Sequence, residues 1–323
     1  MKRAKPTLLA ICAALGVGCP GDDGSEGSTT AADATTMGSP ATESGGASTD
    51  AGAMTTAVDG TGTGTDGSST GPAADEGDFT VLTYNVAGLP EPLSSSMPAT
   101  YIPLISPKLN AFDLVLVQED FAYHDQLIAA VEHPYLSEPG GGGTYGDGLN
   151  RMSQSAFADH TRAAWEVCFG EFDNGSDCLT DKGFAWARHE VAPGVTIDVY
   201  NLHHDAGGSP GDVDARNQQV AQLVAAIAAN SADRAIIVAG DTNMDEEDEP
   251  TLQMLLAGAD LRDACRELSC GQDGRIDRVM IRDGADVALT VANWRVDTSF
   301  VTDTGEDLSD HEAIAVDVHW ARL

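Results

Sequence analysis

Residues 20–78 contain no Lys, Arg, aromatic residue, Leu or Ile. Gly, Ser, Thr, Ala and acidic residues dominate there, and that composition cannot bury enough apolar surface to offset the entropy lost on ordering. Any compact fold is therefore confined to residues 79–323, a length sufficient for one large α/β domain. The stretch 20–78 is expected to be a disordered acidic tether whose physical role is reach.

Residues 1–19 follow the layout of a bacterial export signal. Lys2, Arg3 and Lys5 precede an apolar run over 7–17, and Gly18-Cys19 marks a small-residue cleavage point. The run is shorter than the roughly twenty residues a membrane span needs. Cys19 is placed like the acylated cysteine of a lipoprotein, although Gly16 stands where that motif usually has Leu. The expectation is an exported chain, lipid-anchored through Cys19 to a bacterial membrane or the cell surface, with periplasmic or secreted release as the alternative. Of the six cysteines, Cys168 with Cys178 and Cys265 with Cys270 form two close pairs. An oxidising compartment would let each pair close a short loop, and four free thiols are the alternative.

The formal net charge of −34 narrows the choice of partners. Non-specific affinity for nucleic acid comes mainly from Lys and Arg neutralising phosphates, so nucleic acid is disfavoured, whereas divalent cations suit such a chain. No protein partner is evident from the sequence.

Within 79–323 the pattern alternates strand and helix. Residues 79–85 alternate like a strand ended by Gly88 and Pro90, and 114–117 form an apolar, β-branched run that delivers Gln118 and Glu119 to its end. Helices are expected over 101–111, 121–131 and 214–230 and from Thr251. Residues 184–190 and 195–202 flank Pro193-Gly194 as a hairpin, and further strands are expected over 235–238, 276–282 and 313–318. Hairpins among interleaved helices favour two mixed β-sheets packed face to face with helices outside, a four-layer α/β sandwich. The segment 140–148 is a glycine-rich loop with neither a P-loop nor a GxGxxG pattern. The acidic run 245–249 reads as a solvated loop, or as a Ca²⁺ site without EF-hand spacing.

Short polar groups gather at the strand ends. Asp310-His311 precedes the last strand, and Asp241-Thr242-Asn243 follows another, a pattern suited to metal-assisted attack of water on a phosphoester. Taken singly, each group has a plainer reading: Glu119 as a surface carboxylate, Asn85 as a turn former, Asp310-His311 as a capping pair. Six blocks in order are jointly specific: Thr83-Tyr84-Asn85, Val117-Gln118-Glu119, Asn201-Leu202-His203, Gly240-Asp241-Thr242-Asn243, Ile276-Asp277-Arg278-Val279 and Ser309-Asp310-His311. With them the chain resembles the endonuclease/exonuclease/phosphatase superfamily, and within it the bacterial neutral sphingomyelinases, which the segment 177–184 and Arg216 with Gln219 also match.

The resemblance implies a hydrolase acting on phosphodiesters. Glu119 would be the principal ligand of Mg²⁺, with Mn²⁺ or Ca²⁺ as substitutes, Asn85 would stand close to the ion, and Asp310 would be a further ligand. His311 would be the general base and Asp277 the carboxylate that holds it. Asp241 and Asn243 would position water and phosphoryl oxygen, and His203 would stabilise developing charge. His204, one residue on, should face away. The implied substrate is a phospholipid head group such as that of sphingomyelin. A secreted endonuclease or small-molecule phosphatase, and a catalytically silent surface binding module, remain alternatives. If Cys19 carries the anchor, Cys19→Ser will move the protein from the membrane to the soluble fraction on cell fractionation; an unchanged membrane fraction counts against lipidation.

Overall fold

The computed structural model describes residues 74–323 except 92, 143–144 and 171–176. The export signal and nearly all of the tether lie outside the described residues. One sheet holds β1 (Glu76–Asn85), β2 (Leu114–Gln118), β3 (Tyr135–Leu136), β4 (Asn150–Ser153), β11 (Val287–Val296) and β12 (Ile314–Arg322), in the spatial order β11-β12-β1-β2-β4-β3. The other holds β5 (Phe157–Ala164), β6 (Gly183–Ala192), β7 (Val195–His203), β8 (Ile236–Asp241), β9 (Arg262–Asp263) and β10 (Asp277–Arg282), in the order β5-β6-β7-β8-β10-β9. Each sheet has one parallel pair, β1 with β2 and β7 with β8.

Alternation along the central strands creates the four layers. Val81, Leu116, Val199, Ile237 and Val316 point into one apolar cluster between the sheets. Their neighbours Leu82, Val115 and Val117 face outward onto Tyr101, Ile102 and Ile105 of α1 (Pro98–Ile105). On the second sheet Tyr200, Leu202 and Val238 pack under Val220, Leu223 and Ile227 of α3 (Pro210–Asn230) and Leu252 and Leu255 of α4 (Glu249–Ala259). With both faces covered, these strands read as continuous apolar runs.

Element boundaries depart from the sequence reading for identifiable reasons. The expected helix over 101–111 is α1 followed by a 3-10 segment Ser106–Ala111, with Pro103 inside the first and Pro107 at the head of the second. The expected helix over 121–131 shrinks to α2 (His124–Ile128). The start of α3 comes a turn before Asp214, set by a capping box in which the Ser209 hydroxyl accepts from Asp212 N and the Asp212 carboxylate accepts from Ser209 N at 2.7 Å. The edge strands β5 and β11 carry no expectation from the sequence, because their exposed positions hold polar residues such as Asp159, Thr161, Thr290 and Asn293. Cys168 is bonded to Cys178 and Cys265 to Cys270. Among the described residues no helix is long and apolar enough to cross a membrane.

Gly240, at φ 146°, lets β8 pass close to β7 just before the end of both strands. A Cβ there would collide with the carbonyl oxygen of Leu202. Gly240→Ala should therefore destabilise the fold by about 2–3 kcal/mol in urea denaturation; a midpoint equal to wild type would contradict this packing.

Candidate active site

Strand register brings distant parts of the chain to one rim. Asn85, at the end of β1, pairs with Gln118 at the end of β2, so Glu119 is the first residue to leave that strand. In the second sheet, His203 at the end of β7 and Asp277 at the start of β10 both pair with Asp241 at the end of β8. Thr83 pairs with Ile314 at the start of β12, which carries the preceding Asp310-His311 loop over the end of β1. The buried Ser309 hydroxyl holds that loop down by donating to the Asn85 carbonyl at 2.7 Å.

Asn85 is fully buried, and its side-chain amide donates to Glu119 Oε1 and Asp241 Oδ2, each at 3.1 Å. Its own oxygen accepts from Ala87 N at 3.0 Å, which fixes the orientation of the amide. Glu119 and Asn243 both adopt left-handed backbone, at φ 56° and 50°. Such conformations in non-glycine residues are strained and concentrate at functional sites. Asn243 N donates to Asp241 Oδ1 at 2.9 Å, and its side chain donates to the His204 carbonyl at 3.0 Å.

His311 is held by Asp277, with Nδ1 2.9 Å from Asp277 Oδ2 and Nε2 3.7 Å from Asp241 Oδ2. Burial disfavours its positive charge, but Asp277 and Asp241 outweigh that and raise its pKa well above the ordinary histidine value. Burial pushes Asp241 up to about 6, with His311 pulling the other way. His203 Nε2 lies 3.3 Å from Asp241 Oδ2 and 4.0 Å from Glu119 Oε1. Burial, reinforced by Lys182 and His311, keeps His203 well below the ordinary value, so it is a neutral imidazole.

Seven of the eight sequence candidates are thereby linked in one polar cluster. Asp310 is the exception: it is exposed and accepts from the Ser95 hydroxyl, with no bond to Asn85 or Glu119. His204 points away, its ring stacked on Trp165 with centroids 4.7 Å apart. Lys182 escaped the sequence reading as a site residue. It is nearly buried and paired with Asp177, and Asp177, Glu119 and Asp241 raise its pKa against the opposing effect of burial. Only the Asp181-Lys182-Gly183 run before a strand could have signalled it.

Two places could attract a metal. Donor atoms of Asp241, Asp277 and His311 lie within 4.8 Å of one another, but the direct bond between Asp277 and His311 marks that trio as acid-base machinery. Glu119 and Asp241 instead converge two carboxylates on one amide, and a hard divalent cation with retained waters fits such an oxygen pair. Beside His311 opens a cleft of about 700 Å³ whose wall includes Asp245, Glu246, Glu247, Asp310 and Glu312, with Arg275 as the one Lys or Arg among the described residues that line it.

Residues 82–311 match the Endonuclease/Exonuclease/phosphatase family. The chain belongs to this family. Proteins named sphingomyelinase from Mycobacterium tuberculosis and Mycobacterium bovis are 34% identical over 269 residues, covering 76% of this chain. The chain spans about half the length of these relatives, 53%. Among solved structures, sphingomyelinase C from Streptomyces griseocarneus superposes with a TM-score of 0.57 at 22% identity, over 75% of this chain and 99% of that one. A Staphylococcus aureus beta toxin variant solved with bound magnesium ions gives 0.56 at 18% identity, over 74% and 99%. D. rerio TDP2 complexed with a single-strand DNA product gives 0.59 at 17% identity, over 75% and 98%. These neighbours share the four-layer fold.

A base flanked by two carboxylates should titrate late in the absence of metal. In chelator-treated protein the His311 ring, followed by NMR, is expected to titrate above 6.5, and Asp277→Asn should move the midpoint down. A wild-type midpoint at or below 6.5 would contradict the pairing.

Proposed function

We propose that the chain is a metal-dependent phosphodiesterase of the sphingomyelinase type, exported and lipid-anchored through Cys19, with a tether that ends before β1 and a catalytic domain that begins with it, at Glu76 rather than at 79. It hydrolyses a phospholipid such as sphingomyelin by in-line attack of water on phosphorus. The observation that carries this reading is a carboxylate-held imidazole set beside a carboxylate pair, in a chain 34% identical to proteins named sphingomyelinase.

Glu119 would hold Mg²⁺, with Asn85 and Asp241 adjoining and Asp310 as an additional donor at the rim. When bound, such an ion would polarise the nonbridging phosphoryl oxygens. With Nδ1 engaged by Asp277, His311 takes the proton of the attacking water at Nε2. Asp241 and Asn243 orient that water and a phosphoryl oxygen. His203, being neutral, offers one N–H to the charge that develops, and the Lys182 ammonium adds a fixed positive charge beside it. The bond to the lipid oxygen breaks opposite the attacking water; that oxygen takes a proton from solvent and His311 returns its own to solvent, so one water is consumed and phosphocholine and the lipid alcohol are left. The acidic wall beside His311 repels the phosphates of a long polynucleotide, which supports a head group over nucleic acid.

Purified protein with Mg²⁺ is expected to release phosphocholine from sphingomyelin vesicles and to stop on addition of EDTA. His311→Ala should lower kcat by about a hundred- to ten-thousand-fold. Degradation of plasmid DNA with no release from phospholipids would overturn the assignment, and equal rates for wild type and His311→Ala would leave only a binding module.

A further inference from the structure

Gly140, Gly141, Gly146 and Gly148 of the glycine-rich loop take no part in the chemistry above, yet with Pro139 and Tyr145 they wall a pocket of about 220 Å³ beside Asp120, the residue after Glu119. That is smaller than the roughly 300–1,000 Å³ of sites that enclose a whole ligand, and it fits one end of a substrate. Phe121 and Tyr145 supply two aromatic walls, with ring centroids 6.4 Å apart and planes at 62°. The rest of the lining is mostly backbone, and glycine is what permits it. A Cβ on Gly148 would sit 2.6 Å from the Phe121 ring, and Gly141 and Gly146 take φ of 89° and 73°.

No Lys or Arg is among the described residues that line the pocket; the Arg162 guanidinium lies behind it, bonded to Asn150 Oδ1 at 2.8 Å and Asp147 Oδ1 at 2.6 Å. Asp120, its side chain wholly buried, accepts through Oδ2 from His124 Nδ1 at 2.6 Å and Asn150 Nδ2 at 2.7 Å, while Oδ1 has no partner among the described residues. The loop is tied to the site on two sides. Asp120 N donates to the Gly148 carbonyl at 3.1 Å, and Gly142 N donates to Asp181 Oδ2 at 2.6 Å, beside Lys182 in sequence.

Two aromatic faces backed by an incompletely paired buried carboxylate suit a cation that needs no hydrogen-bond acceptor. A quaternary ammonium meets that description, since it binds chiefly by attraction to ring faces. We propose that this pocket is the subsite for a trimethylammonium end of the substrate, with Phe121 and Tyr145 as its specificity-determining residues; the assignment rests on the phosphodiesterase reading.

Two measurements test it. With p-nitrophenyl phosphocholine and bis(p-nitrophenyl) phosphate as substrates, Phe121→Leu and Tyr145→Leu should each lower the ratio of the two kcat/KM values about tenfold, chiefly through KM for the choline ester. Independently of turnover, the methyl NMR signal of tetramethylammonium should broaden with wild type and with His311→Ala, and lose that broadening with both pocket variants. A ratio that stays at the wild-type value, or broadening that survives both substitutions, overturns the proposal. Tetramethylammonium binding that depends on the two rings, in a protein inert toward both esters, would uphold the subsite and sink the phosphodiesterase reading instead.

Discussion

The side-chain amide of Asn85 is the contact on which the site depends. It reaches from one sheet to Glu119 beside it and to Asp241 in the other sheet, and so draws together two carboxylates that repel each other. The buried amide can do this because its own oxygen is already satisfied by Ala87 N. Just below, Gln118 donates to Asn201 at 2.7 Å, and Asn201 donates to the Val117 carbonyl at 2.9 Å, so a second polar bridge crosses the same interface. Buried networks of this kind specify one arrangement when every member is paired and are destabilising when a member is lost. The apolar cluster between the sheets supplies the burial, and the amides fix the alignment.

Electrostatics at the rim follow from that arrangement. Asp241 sits in a dry environment between two imidazoles, and the imidazoles diverge in character: His311 gains a carboxylate on each side, while His203 has a nearby ammonium and another imidazole. Two residues of one type are thus shifted in opposite directions by their neighbours. One is suited to exchanging a proton and the other to donating a hydrogen bond without changing charge.

How much of this was legible in the sequence depends on where each residue lies. Asn85, Glu119, His203 and Asp241 end central strands whose apolar runs are unmistakable, so strand and terminal polar group announce each other. His311 stands before β12 and Asp277 opens β10, and both were equally clear as members of an ordered set of blocks. The edge strands β5 and β11 were not clear, since a strand with one wet face and one neighbour tolerates Asp, His and Arg. Lys182 was missed because its role comes from long-range contacts that no local pattern encodes: Asp177 pairs with it on a loop closed by Cys168–Cys178, and Glu119 and Asp241 approach from elsewhere. Asp310 entered as a ligand through the resemblance, and its exposed position beside Ser95, 215 residues away in the chain, is a long-range contact that no local pattern encodes.

Neither sheet owns a complete catalytic set. One brings Asn85, Glu119 and the loop bearing His311, the other brings His203, Asp241 and Asp277, and the contacts that complete the site, Asn85 to Asp241 and His311 to Asp277, span the gap between them. Hydrogen bonds weaken steeply as their angles open, so a small slide of one layer over the other would misalign the pairs that perform the chemistry. The interdigitated valines and isoleucines between the layers act as a mechanical lock, and the tightness of their fit answers to the reaction as much as to stability.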